Sequence, residues 1–528
     1  MTSSEVPVMI IGGGSAGTML HLELARRGVH ARSIDRLPGP ATTTRAITLH
    51  ARTAEIMERI DQRLIDRYLA RALPSKGYVL HFVDDAGRRS EVRPGLDFRT
   101  LDCRYPCLLV HGQNETEQVL RDYMLAEYGQ ATQWSTELLD VRHDGDGASA
   151  AVICTLRHAD GSTEEVRSKY LVACDGKNSR VRRQLKLIQD ESDYRGSVMQ
   201  NLDVFLEDFP DSDEWVHYCA GRTHFVMIVK LPGGFHRLLL SDRGEASAAD
   251  VTPEQGFMNV VNQHFDGVRL GKVVWHSKWE SWVRLAHTYR DRNVFLAGDS
   301  AHVHSTTGGQ GMNCCLQDAW NLGWKLSMVL RGEANAALLD TYEAERKPIA
   351  EQVIWAASSL HEIFMGHGKS IAERTARISD PQFLDAVVGR CSGISYTYRD
   401  YVAQPQGLAP HAEGAAIGDR APDVVLPDGK SLFALTRHIG FTLLAIPGAS
   451  EIDALLRSSL EKIAATRGDM LRLYLLPATQ ELQRRYGVGA QPELYLIRPD
   501  GYVGFRCLAS ELPRLQDFLQ ELTGKKST

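Results

Sequence analysis

The sequence predicts an α/β fold: a parallel nucleotide-binding sheet, a mixed β-sheet inserted into it, and a small α/β unit after both. Three observations carry that expectation. Gly12, Gly14 and Gly17 stand in G-x-G-x-x-G spacing between an apolar strand and a helix. Three strand-like runs each end in an acid, at Asp35, Asp175 and Asp299. Between residues 194 and 286 the texture changes to short runs rich in Val, Phe, Trp, Tyr and Leu, broken by Pro and Gly.

In chain order, residues 6–11 read as a buried strand, 18–27 as a helix and 31–34 as a second strand leading into Asp35. The glycines permit a tight turn and close approach of a pyrophosphate, the helix start faces its charge, and the acid suits ribose hydroxyls. Gly12, Gly14, Ser15, Ala16, Gly17 and Asp35 are therefore candidate nucleotide contacts. Arg36 after the acid pairs with phosphate or adenine, or is simply an exposed arginine. Arg45, after three threonines, is positioned to reach back over a bound nucleotide. His50 is either part of that site or a satisfied histidine at a strand–helix junction. Gln113, ahead of a helical stretch at 115–127, either bonds a heterocycle edge or caps that helix.

Residues 137–173 alternate as an antiparallel meander does, with Asp144-Gly145 and Asp160-Gly161 as turns. The strand at 170–173 leads into Asp175-Gly176, with Ser179 and Arg182 beyond. The inserted region is dense in Trp215, His217, Tyr218, His224, Phe225 and His236. These side chains either pack a sheet on the core or line a pocket for a planar apolar ligand. The strand at 294–297 ends in Gly298-Asp299, a loop with Gly308, Gly309 and Gly311 follows, and a helix then carries Leu316, Ala319, Trp320, Leu322 and Leu326 on one face. Such a loop lets backbone N–H groups meet something flat, and the acid accepts from sugar-like hydroxyls.

Residues 335–364 read as long helices and 404–422 as a linker. The last unit has strands at 441–446, 471–476, 494–497 and 502–506 and a closing helix at 511–522; its lone Cys507 argues against thiol redox chemistry. The division expected is 1–76, 111–193 and 287–403 for the nucleotide domain, 77–110 and 194–286 for the inserted domain, 404–422 for the linker and 423–528 for the last unit.

Composition excludes several classes. With 60 basic and 66 acidic residues the net charge is −6, and no basic run indicates a nucleic-acid or membrane surface. No signal peptide is evident, and no apolar run approaches the ~18–20 residues of a membrane span. Nine cysteines without a C-x-x-C argue against zinc sites and disulfide frameworks, so a soluble cytoplasmic protein is expected, with no metal.

Over roughly the first 400 residues these motifs resemble the FAD-dependent aromatic hydroxylases of the p-hydroxybenzoate, phenol and polyketide hydroxylase type. The matching segments are the glycine fingerprint, Asp175-Gly176 with Ser179 and Arg182, Gly298-Asp299, the loop Gly309-Gln310-Gly311-Met312-Asn313, and Leu339 to Pro348. The resemblance implies a Rossmann-like FAD-binding domain, an inserted substrate sheet and a thioredoxin-like last domain. It implies FAD contacts from Asp175, Asp299, Gly309, Gly311, Met312 and Asn313, and from Arg45 in one flavin position. It also implies NADPH or NADH as a transient co-substrate, O2, a flavin 4a-hydroperoxide, and hydroxylation of a phenolic or polyketide-like ring. Ring-oxygen insertion of the Baeyer–Villiger kind, epoxidation and a non-catalytic binder stay open, as does a homodimer. Within the inserted sheet Tyr218 and His224 are the candidate proton relays, with Arg45 also able to take part. Two departures stand out: Thr306 occupies a position where the family usually has proline, and Cys314-Cys315 one where it tends to small polar residues.

Overall fold

A computed structural model describes residues 4–43, 46–147, 150–191, 197–242, 251–366, 369–402 and 413–524. Arg45 and residues 404–412 of the expected linker lie outside these residues. The strand Ser4–Ile11 lies inside the first sheet, next to its middle strand Thr163–Ala173. It pairs in parallel with Ala31–Ile34 on one side and with Thr163–Ala173 on the other, and Val294–Leu296 adds in parallel beyond. Val8, Met9 and Ile10 are fully buried, in one core with Leu20 and Leu316 from helices and Leu138, Val152 and Leu156 from the meander strands. Helix Ser15–Arg26 lies against helices Gln113–Tyr128 and Gly311–Leu330. Gly323 makes the second crossing possible: a Cβ there would stand 2.6 Å from Glu23 Cγ.

The three strand-end acids thus follow the C-terminal ends of parallel strands of one sheet, where α/β sheets bind ligands, with Ser4–Ile11 between the strands that lead to Asp35 and Asp175. The expected meander is present as Glu137–Asp144, Ala151–Arg157 and Thr163–Ala173. Its first connection runs from Asp144 to Ala151 and is longer than a turn at Asp144-Gly145 alone.

The inserted sheet has seven strands in the order Arg269–Ser281, Ser197–Glu207, His236–Asp242, His224–Lys230, Val216–Ala220, Gly77–Val83, Arg89–Asp97. Its neighbours are antiparallel except Val216–Ala220 with Gly77–Val83. One face carries Tyr78, Leu80, Tyr218, Phe225 and Met227 and packs on Leu360, Ile363 and Phe364 of helix Thr341–Met365. The other carries Leu202, Cys219, Val226 and Ile228 and packs on helix Pro253–His264. That helix was not expected within a region read as strands. Its start is nevertheless written in the chain: the Thr252 hydroxyl accepts from the Gln255 N–H, and proline follows it at the first helical position.

The last unit is a four-stranded sheet in the order Leu471–Leu475, Phe441–Ile446, Glu493–Ile497, Val503–Leu508, closed by helix Leu512–Thr523. It docks through buried charge. Glu345 accepts from Arg498 at 2.8 and 2.7 Å and from Lys325 at 2.9 Å, and the Trp324 indole donates to Asp500 at 3.1 Å. Cys507 is buried, which pushes its thiol up to about 12, so it is a packing residue. Among the described residues no helix is long and apolar enough to cross a membrane.

Candidate active site

A cavity of about 640 Å³ runs between the two sheets. At one end it is lined by Gly14, Ser15, Ala16, Gln113, Asp299, Gly311 and Met312, at the other by Tyr78, Val216, Tyr218, Met227, Leu239 and Trp279.

The glycines divide by task. Gly12, at φ +111, and Gly17 are packed shut: a Cβ on the first would meet Cys174 O at 2.2 Å and on the second Gly12 O at 1.8 Å. Gly14 opens to the cavity, where the nearest atom to a Cβ is Glu117 Oε1 at 3.9 Å. Asp35 holds this turn, accepting the Gly13 N–H at 2.8 Å and the Leu37 N–H at 2.9 Å. Arg36 is exposed beyond it. Ser15 donates to Glu117 at 2.7 Å and Gln113 to the same oxygen at 2.9 Å, so a buried acid missed in the sequence sets both side chains.

The other two acids part company. Asp175 caps helix Arg180–Gln184, accepting the Arg180 N–H at 2.7 Å, and is not among the cavity walls. Burial raises its pKa, and its Oδ1 is buried without a hydrogen-bond partner. Arg182 ties this loop to the next, donating to the carbonyls of Ser300 and Lys177. Asp299 is exposed to the cavity, with the Cys315 thiol donating to it at 3.4 Å.

The glycine-rich loop is shaped from behind. His50 Nε2 lies 3.1 Å from both the Gly308 and Gly309 carbonyls, and burial lowers its pKa to about 4, so it stays neutral and donates. Asn313 donates to the carbonyls of Thr48 and Gly309 and accepts the His50 N–H. Both therefore brace the loop from outside the cavity. At Gly309, φ +67, a Cβ would stand 2.3 Å from Thr48 Oγ1.

Tyr218 and His224 fall on opposite faces of the inserted sheet. Tyr218 lines the cavity, its oxygen accepts the Gly308 N–H at 3.3 Å, and burial raises its pKa, so near neutral pH it is a phenol and not a base. His224 points to the far face, 2.8 Å from His264 across Nε2 atoms, and its place is in the packing of helix Pro253–His264. Arg45 lies outside the described residues. The wall also includes Trp275 and Trp279 from the edge strand Arg269–Ser281, with Trp282 just beyond its end. His304, not singled out in the sequence, lines the same space. Its Nδ1 lies 2.9 Å from the Ser305 carbonyl and so carries the hydrogen; Nε2 presents a lone pair, buried and without a partner.

These residues fit FAD. Two helix N-termini, at Ser15 and Gly311, open into one cavity with no side-chain cap and no acid in the first turn, which suits phosphate at one and an electron-rich ring edge at the other. Asp299 between them suits hydroxyls, and Thr306 Oγ1 is a further buried atom lacking a partner.

Comparison with known proteins agrees. The FAD binding domain family matches residues 5–357, and the aromatic-ring hydroxylase C-terminal family matches 415–525. Pentachlorophenol 4-monooxygenase of Sphingobium chlorophenolicum is 38% identical over 96% of this chain and 94% of its own length. A ternary complex of aklavinone-11 hydroxylase with FAD and aklavinone matches with a TM-score of 0.77 at 25% identity, over 99% of this chain and 100% of that one. Anhydrotetracycline hydroxylase from Streptomyces rimosus matches with a TM-score of 0.74 at 26% identity, over 99% and 100%.

Proposed function

The chain belongs to the FAD-dependent aromatic-ring hydroxylases and is a flavin-dependent monooxygenase, and from that premise we propose that it hydroxylates a phenolic or polyketide-like aromatic at the expense of NADPH or NADH and O2. The observation that carries this reading is the single cavity joining an anion- and hydroxyl-binding end to an aromatic, apolar end. We assign the first end to FAD, held by Gly14, Ser15, Ala16, Asp299, Gly311 and Met312, and the second to the substrate ring. FAD held there would supply oxygen-transfer chemistry, with the nicotinamide nucleotide as the electron source, one atom of O2 going to the ring and the other to water.

The chain's own part is positioning, electrostatics and dryness. Tyr78, Val216, Met227 and Leu239 exclude water from the reacting carbon, which protects a reactive oxidant from loss to solvent. The His304 Nε2 lone pair accepts a hydrogen bond from the substrate's phenol and so raises electron density on the ring; burial lowers its pKa to about 4 and keeps that lone pair free near neutral pH. Tyr218 complements it as a neutral hydroxyl that can donate to the substrate's oxygen while holding Gly308.

The test is direct. Purified protein carrying flavin absorbance is offered NADPH or NADH with a panel of phenols and polyketide aromatics. A true substrate accelerates nucleotide oxidation and yields a product heavier by one oxygen. Nucleotide oxidation indifferent to the whole panel, or a ring-expanded ester as product, overturns the proposal.

A further inference from the structure

Two histidines and an aspartate converge on the face of the inserted sheet that turns away from the cavity. His81 and His217 come from the parallel neighbours Gly77–Val83 and Val216–Ala220, and Asp211 from the loop ahead of the second. His81 Nε2 lies 3.1 Å from His217 Nδ1. Asp211 Oδ2 stands 3.5 Å from the latter and 3.9 Å from the former. The imidazoles are 7% and 1% exposed, and Phe265 and Phe209 pack edge-on against them. Hydroxylation uses none of these groups.

The outer ring nitrogens decide what the inner ones offer. His217 Nε2 lies 3.0 Å from the Ser212 carbonyl, which only accepts, so it bears the hydrogen and Nδ1 presents a lone pair. His81 Nδ1 lies 3.4 Å from Glu91 Oε2, another acceptor, and a hydrogen there leaves His81 Nε2 as a lone pair too. Two lone pairs and a carboxylate oxygen then face one another with nothing positive between them. Their spacing is close to the edge of about 3.3 Å between ligands arranged tetrahedrally around an ion at ~2.0–2.1 Å. Acceptors on the far nitrogens are also the outer support that metal-bound histidines have. Arg93 pairs with Asp211 and Glu91, but a carboxylate oxygen with two lone pairs can serve the guanidinium and an ion together.

We propose that His81 Nε2, His217 Nδ1 and Asp211 Oδ2 bind a divalent transition-metal ion, zinc foremost, with a fourth position open to water. The ion cross-links the two strands whose opposite faces carry Tyr78 and Tyr218, so it is a staple behind the substrate wall. Cysteine counting is blind to a site of this make-up.

The experiment uses the full FAD-loaded chain, treated with chelator, desalted and titrated with zinc chloride by calorimetry alongside thermal melts. One equivalent should bind with saturation and raise Tm, because the ion binds the folded state. His217→Gln should weaken that binding tenfold or more while flavin absorbance is retained. Asp211→Asn, at a partly exposed side chain, should do the same and decides the matter should the first variant fail to fold. No saturable equivalent in the parent protein, or undiminished affinity in Asp211→Asn, would show that the imidazoles share only a hydrogen bond.

Discussion

The two ends of the cavity are built from different material. At the nucleotide end the walls are largely backbone: Gly14, Gly309 and Gly311, uncapped helix starts and one exposed acid, set on a turn whose Gly12 and Gly17 are too crowded for a side chain. At the substrate end they are side chains on a sheet, where each residue's role depends on which face it happens to occupy. Backbone sites constrain residue type at fixed spacing, because only glycine tolerates the geometry; side-chain sites constrain volume and polarity, which many residues satisfy. The first kind leaves a signature in a chain and the second does not.

The sharpest break of this comparison is within the fingerprint itself. Gly17→Val sets a Cβ against the Gly12 carbonyl, 1.8 Å away, and must shift the turn at a cost beyond the ~1–3 kcal/mol of ordinary overpacking. Gly14→Ala meets nothing nearer than 3.9 Å, so it should fold normally and lose only FAD affinity. Flavin content and thermal melts separate the two. A Gly17→Val protein that retains flavin with an unchanged Tm would mean that the turn is not the constrained element it is taken to be.

The same contrast explains what was legible. The three strand-end acids announced the parallel sheet correctly, yet only Asp299 is exposed to the cavity, while Asp175 caps a helix and Asp35 holds the turn at Gly13. A sequence shows an acid at a strand end but not the peptide N–H that claims it. On strand His224–Lys230 the parity of faces was hidden for another reason. Phe225 to Val229 are all apolar because both faces are covered, so no alternation tells inward from outward. Glu117 and His304 carried no motif at all; their importance comes from partners far away in the chain, or from the want of one.

A middle-sized effect is expected at Asp299. Removing its carboxylate in Asp299→Ala leaves ligand hydroxyls without an acceptor, at a cost of about 1–3 kcal/mol or roughly 5- to 150-fold in FAD affinity. The fold should be unchanged, since the side chain is exposed and its protein contact is the Cys315 thiol. Equilibrium dialysis against FAD measures it, and undiminished affinity with full turnover would remove Asp299 from the site.

The smallest effects sharpen the comparison most, because two of them lie on one strand pair and differ only in face. Tyr218→Phe keeps the ring against Tyr78 and removes one hydrogen bond to the Gly308 N–H, a loss of about 0.5–1.5 kcal/mol in which the effect falls on turnover and on the coupling of nucleotide oxidation to product. His224→Gln removes an imidazole that faces His264 and helix Pro253–His264, so it should lower Tm and leave turnover and its pH profile as they were. His304→Phe, by contrast, takes away the unclaimed lone pair in the cavity and should slow hydroxylation of phenols more than it alters FAD binding. Steady-state rates across pH with a phenolic substrate discriminate the three. Should His224→Gln change the pH profile while His304→Phe does not, the group that accepts from the phenol would have to be reached through the sheet from its far face, and the division of that sheet into a catalytic and a structural side would fail.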